Sequence, residues 1–297
     1  MSEDAVFRHT PYDGTSQPFT VGLKPVDEED WLDVDSGLAR QLAEKERLFK
    51  EARDAVFRAE PQTEAAQREV LDLVLAHLQR HCGTSHQVDG DVVTLTDTGR
   101  RVLLNKKPDL LTAARLVQED LVLMRPGPDG YRLVAAALCF PSSWSLAEKF
   151  GLSMTGIHES VPGFNGSRMG QMVARIFDNL KTGQVLCRFN WSVYPDGELH
   201  HPEPRQIQLA TAENALARLF LRVERQTLIR LAGSGDILFT IRIHHDPLAV
   251  LERQPDRREI AEGLRGQLLA LDPAQLAYKG LVATRDGLAD ALAAVSD

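Results

Sequence analysis

The residues able to do chemistry fall in three places. His158 lies in Ile157-His158-Glu159-Ser160-Val161-Pro162-Gly163, two residues after Gly156, so glycines and a proline restrain its loop. A neutral imidazole held this way is a competent iron ligand, although a lone loop histidine is more often a surface or hydrogen-bonded residue. The second place is Arg222-Val223-Glu224-Arg225-Gln226. Read as a strand, it puts Arg222, Glu224 and Gln226 on one face and Val223 and Arg225 on the other. Charges in an apolar strand are costly to bury unless they pair with each other or with a ligand. Two readings fit: a solvated edge or ion-pair network, or arginines gripping an anion such as a propionate, with a carboxylate left for catalysis or amine binding. Arg188 and Asn190 share a face of their own strand in the same way.

Other histidines carry less. His77 and His81 are spaced i, i+4 on a helical pattern, a spacing that can chelate a metal, but no third ligand stands nearby in sequence. His200-His201 and His244-His245 are tandem pairs whose side chains point to opposite faces of a strand, and they read as solvated. Cys82, Cys139 and Cys187 form no CxxC pair, so neither a zinc ribbon nor a disulfide framework is indicated. There is no GxGxxG after a strand, no GxxxxGK[ST], no HExxH and no GxSxG. Motif chemistry alone names no reaction.

The elements that must position these residues follow from periodicity. Residues 1–37 read as an extended arm anchored by Phe19, Val21, Leu23, Trp31 and Leu32. A helix is predicted over 38–60, with Leu38, Leu42, Lys45 and Phe49 on one face and Pro61 closing it. A second helix runs from Thr63 to Gly83. A short strand or hairpin over 88–95, around Asp89-Gly90, and a short helix over 109–118 follow. Leu121–Met124 and Tyr131–Ala137 flank Pro126-Gly127-Pro128-Asp129-Gly130 as the arms of another hairpin. Met169, Met172, Val173, Ile176, Phe177 and Leu180 mark a helix that Gly183 ends, with the methionines read first as core filler. Strands are predicted over 184–194, over 216–231 with a helical lead-in, and over 237–244, and helices close the chain.

About five strands between 120 and 245, with helices before, between and after, indicate an α+β fold. The chain divides into an N-terminal arm with helices (1–115), a sheet core (116–248) and C-terminal helices (249–297). The bulk composition is that of an ordinary globular protein, 43% apolar and 26% charged over 297 residues. A net charge of −8 argues against a nucleic-acid-binding face, and no apolar run is long enough to predict a membrane span. Unpaired cysteines and a polar, acidic start lead to a cytoplasmic expectation. A homo-oligomer is compatible with all of this.

Five ordered blocks carry a resemblance. They are Phe140-Pro141-Ser142-x-Trp144 with Lys149, then Ile157-His158-x-x-Val161-Pro162-Gly163, then Arg188-Phe189-Asn190-Trp191-Ser192. Arg222-Val223-Glu224-Arg225-Gln226-Thr227-Leu228-x-Arg230-Leu231 and Ile237-Leu238-Phe239-Thr240-Ile241 complete the set. Together they resemble the heme-dependent oxidative N-demethylase family, α-subunit-like. The resemblance implies a PAS-like antiparallel sheet binding heme b and an O2-using demethylation of a small secondary amine such as dimethylamine, with release of formaldehyde. It further implies electrons from NADPH through separate flavin and iron–sulfur partner subunits. By position, His158 becomes the axial metal ligand. Arg188, Arg225 and Trp191 become cofactor-binding candidates, and Glu224 and Arg222 catalytic ones. One departure stands out: the family pattern has proline where this chain has Ser160, which leaves the histidine loop freer. The alternative reading is a non-catalytic PAS-like protein that binds heme or another small ligand for sensing.

Overall fold

The computed structural model describes residues 6–14, 17–204, 207 and 211–296. Its strands are β1 (Lys24–Val26), β2 (Phe57–Ala59), β3 (His86–Asp89), β4 (Val92–Leu95), β5 (Arg101–Leu103), β6 (Asp120–Gly127), β7 (Gly130–Ala137), β8 (Val185–Tyr194), β9 (Phe220–Arg230) and β10 (Ile237–Pro247). Seven of them form one antiparallel sheet in the order β1-β8-β9-β10-β6-β7-β2, and β3-β4-β5 form a small second sheet. The α+β expectation holds. Two long hairpins, β6-β7 and β9-β10, are made by turns at the predicted places, Pro128-Asp129 and Ser234-Gly235.

Each face of the large sheet has its own cover. On one face Trp191, Val193, Leu221 and Val223 pack with Ile260, Leu264, Leu268, Leu288 and Leu292 of the C-terminal helices Arg257–Ala270 and Arg285–Ser296. Burying each such side chain contributes about 1.5–3 kcal/mol before entropy is counted. The other face meets the connection between β7 and β8, which carries the helices Leu146–Lys149, Met154–Ile157 and Arg168–Asn179. Since strand side chains alternate, this two-sided cover decides which residues can share a site. Among the described residues, no helix is long and apolar enough to cross a membrane.

The N-terminal region departs from the pattern. The predicted helix over 38–60 stops at Glu51, because Ala52 leaves helical geometry and Phe57–Ala59 pair with Ala135–Ala137 of β7. Satisfying an edge of the sheet outweighs a weak helical preference. The arm supplies the opposite edge, where β1 pairs with Val185–Cys187. Its anchors behave as expected at Trp31 and Leu32, which are buried. Lys45, on the apolar face of its helix, is fully buried and donates to the carbonyls of Val117 and Glu119.

Candidate functional site

Strand pairing sets the floor of the site. Arg188 stands opposite Gln226, Asn190 opposite Glu224 and Ser192 opposite Arg222, so the polar sets of β8 and β9 occupy one face. The β9 set lies between β8 and β10, so the solvated-edge reading is excluded for Arg222, Glu224 and Gln226. Val122, Met124, Leu228, Phe239 and Ile241 continue that face as apolar floor. Above it lies a cavity of about 290 Å³, at the small end of ligand cavities.

The opposite wall is the histidine loop. Ser153 caps the helix Met154–Ile157, and His158 closes it. The His158 Nδ1 lies 2.9 Å from the Met154 carbonyl, so Nδ1–H donates there, and the ring stacks on Phe164 at 4.0 Å and 12°. Burial, opposed by that carbonyl and aided by the positive charges of Arg188 and Lys149, holds its pKa below the usual histidine value. The imidazole is therefore neutral with the proton fixed on Nδ1, and its Nε2 has no hydrogen-bond partner among the described residues. Phe164 is in turn held by close packing: a Cβ at Gly170 would come 2.6 Å from the Phe164 carbonyl oxygen. Ser167 caps the next helix through the Met169 and Gly170 amides.

Glu224 is 7% exposed. Its Oε2 accepts from Gln226 Nε2 at 2.7 Å and from Asn190 Nδ2 at 3.4 Å. Among the described residues, nothing bonds the other oxygen. Arg188 lies within electrostatic reach of Glu224, and among the described residues it makes no ion pair. The Arg188 Nε is buried without any hydrogen bond, and burial lowers its pKa against the opposing pull of Glu224. A cation left so incompletely paired is a place for an anion.

The site thus joins three sequence-predicted residues, His158, Arg188 and Glu224, in one cavity. Arg222 stands one layer behind. It is 0% exposed, and its guanidinium donates to Ser142 Oγ at 2.9 Å and to the carbonyls of Phe140, Pro141 and Leu199. It positions the Phe140–Ser142 segment, part of the cavity wall, and does not line the cavity itself. Arg225 and Trp191 are not brought there. Strand alternation turns both to the other face, where Arg225 donates to the carbonyls of Asp30 and Trp31 and Trp191 Nε1 donates to Gln267 at 2.6 Å. Of the two methionines, Met169 lines the cavity and Met172 is exposed.

Several contributors were not visible in the sequence. Tyr278 and Lys279 reach the cavity from the C-terminal helices, and Phe19, Thr20 and Leu23 from the arm. Tyr278 is half-exposed; enclosure of its hydroxyl, with Glu224 second, raises its pKa above the usual tyrosine value, so it remains a neutral phenol. Asp120, wholly buried, accepts the Cys139 and Phe140 amides at 2.8 and 2.7 Å and fixes the strand end that leads into the wall. Only a carboxylate inside an apolar strand pattern hinted at it. The tandem histidines are also not solvated: His200 Nδ1 donates to the Cys139 carbonyl, His201 pairs with Asp196, and His244 is 6% exposed. His77 is buried beneath Trp31, with ring centroids 5.2 Å apart.

The donor set fits heme. An imidazole offers a free Nε2, an arginine waits for an anion, and the surrounding floor is apolar. The family profile described as haem-dependent oxidative N-demethylase, alpha subunit-like, matches residues 22–289, a span that includes every residue of this cavity except Phe19 and Thr20. The chain belongs to the haem-dependent oxidative N-demethylase, alpha subunit-like, family.

Proposed function

We propose that this protein is a heme b-dependent oxidative N-demethylase acting on a small secondary amine of the dimethylamine type. The observation that carries the reading is the His158 geometry: Nδ1 tied to the Met154 carbonyl, Nε2 without a partner among the described residues, in a cavity that Glu224 and Arg188 also line. His158 would hold the heme iron and Arg188 a propionate. When bound, heme would supply O2 activation, with electrons from NADPH through separate flavin and iron–sulfur subunits, and formaldehyde would be the carbon product.

The residues do the placing. Glu224 keeps one carboxylate oxygen open, and a protonated amine would pair with it. Gln226 and Asn190 hold the other oxygen, so the carboxylate cannot swing away without losing two donors. Arg222 keeps the Phe140–Ser142 wall in place. Apolar side chains exclude water from the rest of the floor, which strengthens each polar contact within it.

The PAS-like part of the reading is supported by strand order. The five central strands lie as β8-β9-β10-β6-β7, with the helical connection between the second and third strands of the set in sequence. That is the order of a PAS sheet and the usual place of its helices.

An absorption spectrum after heme addition tests the binding step. A Soret band is expected, and His158→Ala should abolish or shift it; an unchanged spectrum would remove His158 as ligand. Formaldehyde release from dimethylamine with a reductase then tests the reaction. Binding without turnover across a panel of amines would favour the sensor reading.

A further inference from the structure

The opposite face of the sheet carries a second cluster, built from residues that do not line the first cavity. Strand alternation puts Phe189, Arg225, Arg242 and His244 on that face, under the N-terminal arm. His9 and Asp33 come from the arm and His244 from β10. The His9 Nε2 lies 2.6 Å, and the His244 Nε2 3.1 Å, from the same oxygen, Asp33 Oδ2. The two imidazole rings meet edge to face, 4.8 Å apart and at 74°. One donor atom from each residue falls within 4.8 Å of the others, and among the described residues this is the one group so arranged.

We propose that His9, Asp33 and His244 bind a divalent metal ion, with zinc the best match. Two imidazole nitrogens and one carboxylate oxygen suit zinc, which takes three protein ligands and leaves a fourth position open. The His244 Nε2 is buried and, despite lying 3.1 Å from the carboxylate, makes no hydrogen bond. It is a ligand atom whose present partner is poorly aligned. Arg8 Nη2 takes the other carboxylate oxygen, Oδ1, at 2.5 Å, which leaves Oδ2 for monodentate ligation. Behind the cluster, Asp35 Oδ2 lies 2.6 Å from the buried Arg242 and 3.8 Å from His244 Nδ1, beyond hydrogen-bond reach, so it acts on the ring through its charge alone. An entry path exists, because His9 and Asp33 line a cavity of about 490 Å³ together with Arg8 and Arg225.

Metal would take the place of the proton that the His9 ring now shares with Oδ2, and would give the buried His244 Nε2 a partner. Ligand bonds of about 2.0–2.2 Å in a tetrahedron put ligand atoms roughly 3.3 Å apart, so the His9 contact would widen and the His244 contact would hardly change. The ion would also fasten the arm to β10 at two points. The chain between those points carries Phe19, Thr20 and Leu23, which line the cavity on the other face, so the metal would pin both ends of a cavity wall.

The test uses tag-free full-length protein stripped with a chelator and titrated with Zn2+ alone, then with Co2+ as a spectroscopic probe. One zinc per chain, a rise in Tm and a tetrahedral cobalt spectrum are expected. His9→Ala, at a partly exposed position, and Asp33→Asn should each weaken zinc binding at least tenfold while keeping the circular dichroism of the metal-free protein. Slower proteolysis between residues 10 and 32 with zinc than without is expected only for the unsubstituted chain. Absence of stoichiometric zinc in the unsubstituted protein, or equal zinc binding in both variants, overturns the proposal.

Discussion

Removing the Arg188 guanidinium should have opposite effects on the empty and the heme-loaded protein. In the empty protein its Nε is a buried donor with no acceptor, which costs about 1–3 kcal/mol. Burial outweighs the pull of Glu224, as the lowered pKa shows, and no ion pair within 4.0 Å would be lost, among the described residues. Methionine keeps much of the stem's volume and drops the unpaired nitrogen. Arg188→Met is therefore expected to stabilise the empty chain by about 1 kcal/mol, a Tm rise of roughly 2–4 °C for a domain of this size. In the loaded protein, the same change would delete the proposed charged hydrogen bond to a propionate, worth about 1.5–3 kcal/mol. Heme should then dissociate roughly 10- to 150-fold more readily. Differential scanning of the empty protein and a heme titration followed by absorbance read the two halves separately. A destabilised empty protein with unchanged heme affinity would refute the reasoning, because Arg188 would then be a structural residue already satisfied.

Two further outcomes follow from packing and charge. Gly170→Ala should push the Phe164 carbonyl away from its present 2.6 Å approach to the new Cβ and disturb the ring stacked on His158. A shifted heme spectrum with little change in far-ultraviolet circular dichroism is expected, and an unaltered spectrum would show that Phe164 does not orient the ligand. Burial, reinforced by His81, lowers the His77 pKa from 6.5 to about 4. The unfolded chain binds this proton first, so the contribution is intact above pH 6.5 and is lost as pH falls from 6.5 towards 4, by up to about 3 kcal/mol. Denaturant titrations across that window should show a shallower acid-side loss for His77→Phe, and parallel curves for the two proteins would contradict it.

The sequence made much of the core legible, for local reasons. Alternation over 237–244 and the turn at Ser234-Gly235 define most of β10 and its hairpin without any distant contact. The same alternation put Arg222, Glu224 and Gln226 on one face, and pairing confirmed that this face continues into Arg188 and Asn190. The glycines and proline around His158 marked a restrained loop, and the loop is a cavity wall.

What alternation within one strand cannot say is which face meets which cover. Arg225 and Trp191 belong to the family blocks as fully as Arg188, yet one residue of offset turns them to the opposite side of the sheet. Nor does strand pattern show that Arg222, on the cavity face, is spent on the carbonyls behind the wall. The strand Phe57–Ala59 and the meeting of His9, Asp33 and His244 depend on partners dozens to hundreds of residues away. Periodicity is a short-range property of the chain and fixed the strands, the turns and the histidine loop. The faces, the edges and the company each charge keeps arise from long-range packing, and only the tertiary structure decided them.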